Sequence, residues 1–229
     1  MKISERKLLI LNTIIKEHIL TGSPVGSGVL VDKYNLNISP ATVRKEMVEL
    51  EEAGYIIQPH TSAGRIPAEK AYRIYLENLS GKNLSDKKTK EIELILRSKE
   101  RENLKIAAKQ ISQLSGNAVF WAFHKQDIYY TGISNLFQQP EFQELETIYD
   151  ISLVIDRIDE IIGEIFDGVQ KGKNVFIGSE NPFGNFCSAI LVKYKLEDNI
   201  GLFGILGPMR MDYEKNLSLA NIINNKFND

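Results

Sequence analysis

Three observations predict an α+β chain in two domains with a helical connector between them. Apolar residues recur at helical spacing through most of residues 4–115. From residue 117 aromatic and β-branched runs such as NAVFWAF and SAILVKYKL read as strands, with helical stretches between them. Charge divides along the same lines. Residues 1–79 carry 10 Lys/Arg and 9 Asp/Glu, residues 80–115 carry 9 and 5, and residues 116–229 carry 9 and 16. The expected parts are therefore 1–79, a connector over 80–115, and an acidic domain over 116–229.

Composition bounds the function. With 229 residues, 43% hydrophobic and 25% charged, the chain has ample core for a soluble globular protein. No apolar run approaches the ~18 residues that span a bilayer, so no membrane association is expected. The N-terminal MKISERKLL lacks the apolar core and cleavage site of a signal peptide. A single cysteine, Cys187, cannot form an internal disulfide, and a reducing cytoplasm is the expected compartment.

The first helix is expected over Ser4–Leu20, with Leu8, Leu11, Ile15 and Ile19 on its buried face. His18 lies at the edge of that face and has no partner at ligand spacing, so no metal role is expected of it. TGSPVGS breaks the helix, and a short one follows from Ser27 to Tyr34, with Val25, Leu30 and Val31 as core. The turn KYNLNIS leads to the most informative stretch, SPATVRKEMVELEEAGYIIQPHTSAGRIP over residues 39–67.

Ser39 is a good N-cap and Pro40 suits the first helical position, where its missing N–H costs nothing. Gly54 stands where the helix needs a left-handed stop. Val43, Met47 and Leu50 form the core stripe, which turns Ala41, Arg44, Lys45 and Val48 to the other side and Thr42 to its margin. Small, hydroxyl and cationic groups at the start of a helix suit a DNA major groove. Glu49, Glu51 and Glu52 follow, where phosphate would repel them. YIIQ then reads as a strand and PHTSAGR as a turn-rich hairpin with His60, Thr61, Ser62 and Arg65 as donors. A helix followed by such a hairpin is the layout of a winged helix-turn-helix. The competing reading is an amphipathic surface helix with a solvated loop after it. On the first reading Thr42, Arg44 and Lys45 contact the groove, Ser39 helps place them, and the four hairpin residues are the donors of the wing.

Tyr72, Tyr75, Leu76 and Leu79 repeat at helical spacing and close the first domain, the aromatic pair as core. SGKNLSDKK is polar and turn-rich and reads as a linker. Two connector helices follow, one with Ile92, Ile95 and Leu96 and one with Leu104, Ala107, Ala108, Ile111 and Leu114, ended by Gly116. The charge run RSKERENLK between them reads as a solvated segment, and a connector with one apolar stripe also suits subunit packing. Beyond them NAVFWAF, DIYYT, VFIG, SAILVKYKL and GLFGIL read as strands. SNLFQQPEF and 144–170 read as helical, and a last helix presents Leu217, Ala220, Ile223 and Phe227.

PVGS (24–27), ATVRKEMVELEEAGYI (41–56) and QPHTSAGRIP (58–67) resemble the N-terminal domain of HrcA, the bacterial heat-inducible transcription repressor family. SNLFQQPEF (134–142), IGSENP (177–182) and GILGPMRMDY (204–213) resemble its C-terminal domain, so the likeness reaches both ends of the chain. The resemblance implies a GAF-like C-terminal α+β domain, a homodimer on the inverted repeat called CIRCE, repression of chaperone genes, release by heat, and the chaperonin GroEL as modulator. Three departures stand out. Gly28 occupies a place where the family often has a basic residue, and Lys45 one where it more often has Asn. AVFWAFHKQ also runs almost directly into DIYYTGISNLF, which implies that the family's inserted dimerisation domain is missing.

No catalytic site, metal site or cofactor is expected. There is no phosphate-binding glycine pattern, His18, His60 and His124 are scattered, and Cys187 has no spacing support as a nucleophile with His124. Asp212, beside Arg210 and Tyr213, reads as the cap of the last helix rather than as a catalytic acid. The expected function is repression by a DNA-binding dimer. The alternative is a winged-helix regulator whose GAF-like domain binds a metabolite.

Overall fold

The computed structural model describes residues 3–34, 38–79, 87–142, 145–196 and 199–228. The chain divides into two compact units, residues 1–79 and 80–229.

In the first unit α1 (Glu5–Thr21) is capped by Ser4 and stopped by Gly22 in the left-handed conformation. Helix α2 (Ser27–Tyr34) and helix α3 (Pro40–Glu52) follow. Strands β1 (Ile56–Ile57) and β2 (Ile66–Pro67) then pair antiparallel, and α4 (Glu69–Glu77) closes the unit. The core unites Ile10, Leu11, Ile14 and Ile15 with Leu30, Val43, Leu50 and Tyr72, each 1% exposed or less. The α1 face is thus rotated from the expected one. Leu8 and Ile19 are half-buried, because four neighbours (α2, α3, β2 and α4) cover α1 and the 10/11/14/15 positions are the ones buried beneath them. Val31 is half-buried, whereas Val25 and Leu30 are buried as expected. Part of the KYNLNIS turn, residues 35–37, lies outside the described residues.

The second unit is built on a five-stranded antiparallel sheet in the order β4-β3-β7-β6-β5. Its elements in chain order are α5 (Lys87–Ile95), α6 (Arg101–Ser115), β3 (Ala118–His124) and β4 (Asp127–Thr131). Next come α7 (Ile133–Phe137), a 3-10 turn (Pro140–Phe142), α8 (Leu145–Asp156) and α9 (Ile158–Ile165). Strands β5 (Gly172–Ile177), β6 (Cys187–Leu196) and β7 (Asn199–Pro208) precede the last helix, α10 (Tyr213–Asn228). This α+β arrangement is consistent with a GAF-like domain.

Alternation along the strands makes two cores, one on each face of the sheet. Phe120, Ala122, Leu191, Leu202 and Leu206 meet Leu136, Phe142, Ile151 and Ile162 from the α7–α9 segment. On the opposite face Trp121 packs edge-on against Phe203 and against Phe227 of α10, with ring centroids 5.1 and 6.0 Å away. The indole N–H donates to the Tyr194 hydroxyl at 2.6 Å, so burial of this polar edge is compensated. Burial pushes the Tyr194 phenol up to about 12.

Several expectations change here. The stretch 144–170 is two helices, because Arg157 leaves the helical conformation between α8 and α9, and residues 143–144 lie outside the described residues. SNLFQQPEF is one short helix and a 3-10 turn, since Pro140 cannot continue a helical hydrogen-bond ladder. The connector also reads differently. Residues 80–86 of the linker lie outside the described residues, but α5 and α6 pack with α10 and the sheet. Their apolar stripe is used within the unit: Ile92, Leu96, Leu104, Ala107, Ala108 and Ile111 are all buried. On α10 Leu217, expected on the buried face, is half-exposed, and Leu219 is buried instead. Asp212 does cap α10, its Oδ1 accepting from the Lys215 N–H at 3.0 Å.

Because Trp121 is the chain's one tryptophan and is fully buried, its loss should be costly. Trp121→Ala is expected to lower stability of the second unit by about 3–5 kcal/mol, read by urea unfolding followed with circular dichroism.

Candidate nucleic-acid interface

Helix α3 carries the candidate surface, and its ends are fixed locally. The Ser39 Oγ accepts from the Thr42 N–H at 3.1 Å and lies 3.0 Å from the Thr42 hydroxyl. At the far end Gly54 has φ 74°, a conformation that costs a side chain strain. There the Tyr55 N–H reaches back to the Leu50 carbonyl at 2.9 Å, and the Gly54 N–H to that of Glu51 at 2.9 Å. This closes the helix in a Schellman arrangement.

Val43, Met47 and Leu50 are buried, as the stripe predicts. Ser39, Ala41, Arg44, Lys45 and Val48 are exposed, and Thr42 is half-buried with its hydroxyl turned to the cap. Among the described residues no ion pair engages Arg44 or Lys45. The carboxylates of the same helix are treated differently. Glu46 pairs with Arg6 of α1 at 3.4 Å and Glu49 with Lys7 at 2.6 Å. The hydrogen bond from Lys7 holds the Glu49 carboxyl below its usual range, and Glu49 in turn raises Lys7. So the carboxylates farther along α3 are paired with α1, while Arg44 and Lys45 at its start make no ion pair among the described residues and Lys45 only adds to the field that lowers Glu49.

The hairpin between β1 and β2 presents His60, Thr61 and Ser62 to solvent. Gln58 shapes it from inside, its amide donating to the Thr61 and Ala63 carbonyls at 3.0 and 3.1 Å. Arg65 and Val25 exchange backbone hydrogen bonds of 2.9 Å, which adds the segment leading into α2 to the hairpin. Gly64 permits this approach, since a Cβ there would stand 2.5 Å from the Val25 carbonyl group. Arg65 is the expected donor that the structure moves. Its side chain, 16% exposed, is turned onto Glu51, with Nε and Nη2 at 2.9 and 2.8 Å from Oε2. Sequence reading missed this pair because its members are 14 residues apart and belong to different elements. Arg6 and Lys7, 40 or more residues before their partners, carried no local signal either.

Helix α2 is set by a buried carboxylate. Glu17 of α1, 6% exposed, accepts from Lys33 Nζ at 2.7 Å and from the Tyr34 hydroxyl at 2.8 Å. The Lys33 hydrogen bond holds Glu17 below its ordinary value against the cost of burial, and burial together with Glu17 pushes Tyr34 up to about 12.

A family model of the HrcA protein C-terminal domain matches residues 42–217. The chain belongs to the HrcA family. The proteins called heat-inducible transcription repressor HrcA in Lachnoclostridium phytofermentans and Carboxydothermus hydrogenoformans are 27% and 29% identical to it. The first match covers 95% of this chain and 94% of the relative, and the second 98% and 99%. The HrcA of Alkaliphilus metalliredigens is 28% identical over 336 positions, covering 100% of this chain and 98% of its own. Since this chain has 229 residues, more than a hundred positions of that HrcA stand opposite gaps. A crystal structure described as that of a hypothetical protein has the same fold, with a TM-score of 0.81 over 98% of this chain and 97% of that one at 19% identity. No described helix of this HrcA-family chain is long and apolar enough to cross a membrane.

The Glu17 site gives a signed pH prediction. A carboxyl with a lowered folded-state pKa stabilises above its unfolded value and loses that contribution as pH falls through the folded one. Unit-one stability should therefore fall below about pH 4.5 in the native chain, and Glu17→Gln should flatten that part of the curve. At neutral pH Glu17→Ala should cost about 1–3 kcal/mol, measured by urea unfolding, because Lys33 and Tyr34 lose a charged acceptor.

Proposed function

We propose that this chain is a transcription repressor that binds DNA as a homodimer through a winged helix-turn-helix over residues 1–79. The relatives' shared name supports the repressor, and one observation carries the DNA contact. The exposed first turns of α3 hold Arg44 and Lys45 without an ion-pair partner among the described residues, beside a capped helix start. Thr42, Arg44 and Lys45 meet the groove, Ser39 aids placement by holding the helix end, and His60, Thr61 and Ser62 meet the backbone. Two copies place two recognition helices about 34–36 Å apart, one turn of duplex, so the operator is an inverted repeat of the CIRCE type. The second unit holds the pair together, and occupancy blocks transcription of chaperone genes in the cytoplasm. Heat unfolds the repressor and GroEL restores it. Modest net charge fits affinity resting on placed contacts, since no domain is basic enough for a general field.

A second reading has its own observation. A cavity of about 490 Å3 in the second unit, between α5 and α10, is lined by polar groups including Glu93, Arg97, Asn221 and Lys226. A small-molecule regulator bound there would raise the thermal midpoint of the chain with concentration.

The deciding experiment titrates the full chain onto an inverted-repeat duplex and onto a single half-site. Tight, salt-sensitive binding to the repeat and much weaker binding to the half-site are expected. Arg44→Ala should cost roughly 1–3 kcal/mol of that affinity, and unchanged affinity in this variant would remove α3 from the interface.

A further inference from the structure

Resting on the DNA-binding reading above, we propose that Glu51 is a positioning residue that fixes the hairpin relative to α3, and that Arg65 is its counterpart rather than a phosphate contact. The geometry gathers three donors from both limbs of the hairpin on one carboxylate. Glu51 Oε1 accepts from the Gln58 N–H at 3.2 Å, where the chain leaves β1. Glu51 Oε2 accepts from Arg65 Nε at 2.9 Å and Nη2 at 2.8 Å, where the chain returns to β2. The remaining Arg65 nitrogen, Nη1, lies 3.5 Å from the Ala63 carbonyl. All three guanidinium nitrogens are therefore directed inward, and a planar guanidinium held this way cannot also fork onto a phosphate.

Glu51 sits in the last turn of α3, two turns beyond the surface that carries Arg44. A rigid helix thus relays the position of its first turns to the hairpin tip. Gln58 continues the linkage, because its amide holds the Thr61 and Ala63 carbonyls and so orients His60, Thr61 and Ser62. The close approach at Gly64 and the Val25–Arg65 backbone pair prevent the return limb from sliding. The carboxylate matters for placement although it is an anion beside a surface that meets an anion.

That last point makes the test decisive in sign. Removing a negative charge near a DNA-binding surface ordinarily strengthens binding. If Glu51 positions the hairpin, Glu51→Gln should instead weaken binding of the full chain to the inverted-repeat duplex by roughly 5–10-fold. Arg65→Ala should weaken it similarly while leaving the slope of log K against log salt unchanged, since no phosphate contact is lost. Tighter binding by Glu51→Gln overturns the proposal, as does a slope reduced by about 1 in Arg65→Ala, the mark of a lost phosphate contact. If Glu51→Gln fails to fold, the Arg65→Ala slope decides alone. Arg44→Ala serves as the control. Should it bind like the wild type, the DNA-binding reading of α3 fails, and the proposal with it; should it bind poorly while Glu51→Gln binds tightly, only the positioning role is lost.

Discussion

The rest of the first unit depends on how charge is partitioned along one helix. Helix α3 must bury Val43, Met47 and Leu50 on one side, and its free side carries two cations followed by acidic groups. Three of those acidic groups are taken up by neighbours: Glu46 and Glu49 by α1, and Glu51 by the hairpin. Ion pairs that keep this much contact with solvent add little to stability. Their effect is orientation. They tie α1 and the hairpin to the helix at fixed points and, among the described residues, leave Arg44 and Lys45 of its first turns without an ion pair, a state that suits a phosphate-rich partner.

Helix ends and core stripes were legible in the sequence because they depend on neighbours within four residues. Ser39, Pro40 and Gly54 mark α3, Ser4 and Gly22 mark α1, and Gly116 marks α6, where each local rule and the fold agree. Faces decided by several partners were less legible. The buried side of α1 is set by three helices and β2 at once, so periodicity alone chose Leu8 and Ile19 over Ile10 and Ile14. The same holds for α10, where Leu219 rather than Leu217 is buried. Of the surface, the exposed members Arg44, Lys45, His60, Thr61 and Ser62 followed from residue type and position. Arg65 did not, because a side chain's partner across the fold is a tertiary fact.

The second unit shows how short members of the family can keep a complete core. Although more than a hundred positions of the Alkaliphilus relative stand opposite gaps, the five strands form one sheet, with a register shift between Ala122 and His124 in the β3–β4 pair, and both faces of the sheet are covered. Strands β3 and β4 meet through a tight connection at Lys125 and Gln126. The helices first read as a connector are part of this unit: α5 and α6 supply, with α10, the layer over Trp121 and its neighbours. The motifs near the chain's end have structural work as well. Asp212 caps α10, and the Tyr213 hydroxyl lies 2.7 Å from the buried Ser188 Oγ.

The surface proposed to meet duplex DNA is formed by the first turns of α3 with the tip of the hairpin beside them. Backbone amide resonances of the full chain, followed while an inverted-repeat duplex is added, test this most directly. The account predicts that the largest shifts fall on residues 39–45 and 60–62, with β6 and β7 unmoved. Shifts centred on the sheet of the second unit, with residues 39–45 silent, would contradict it.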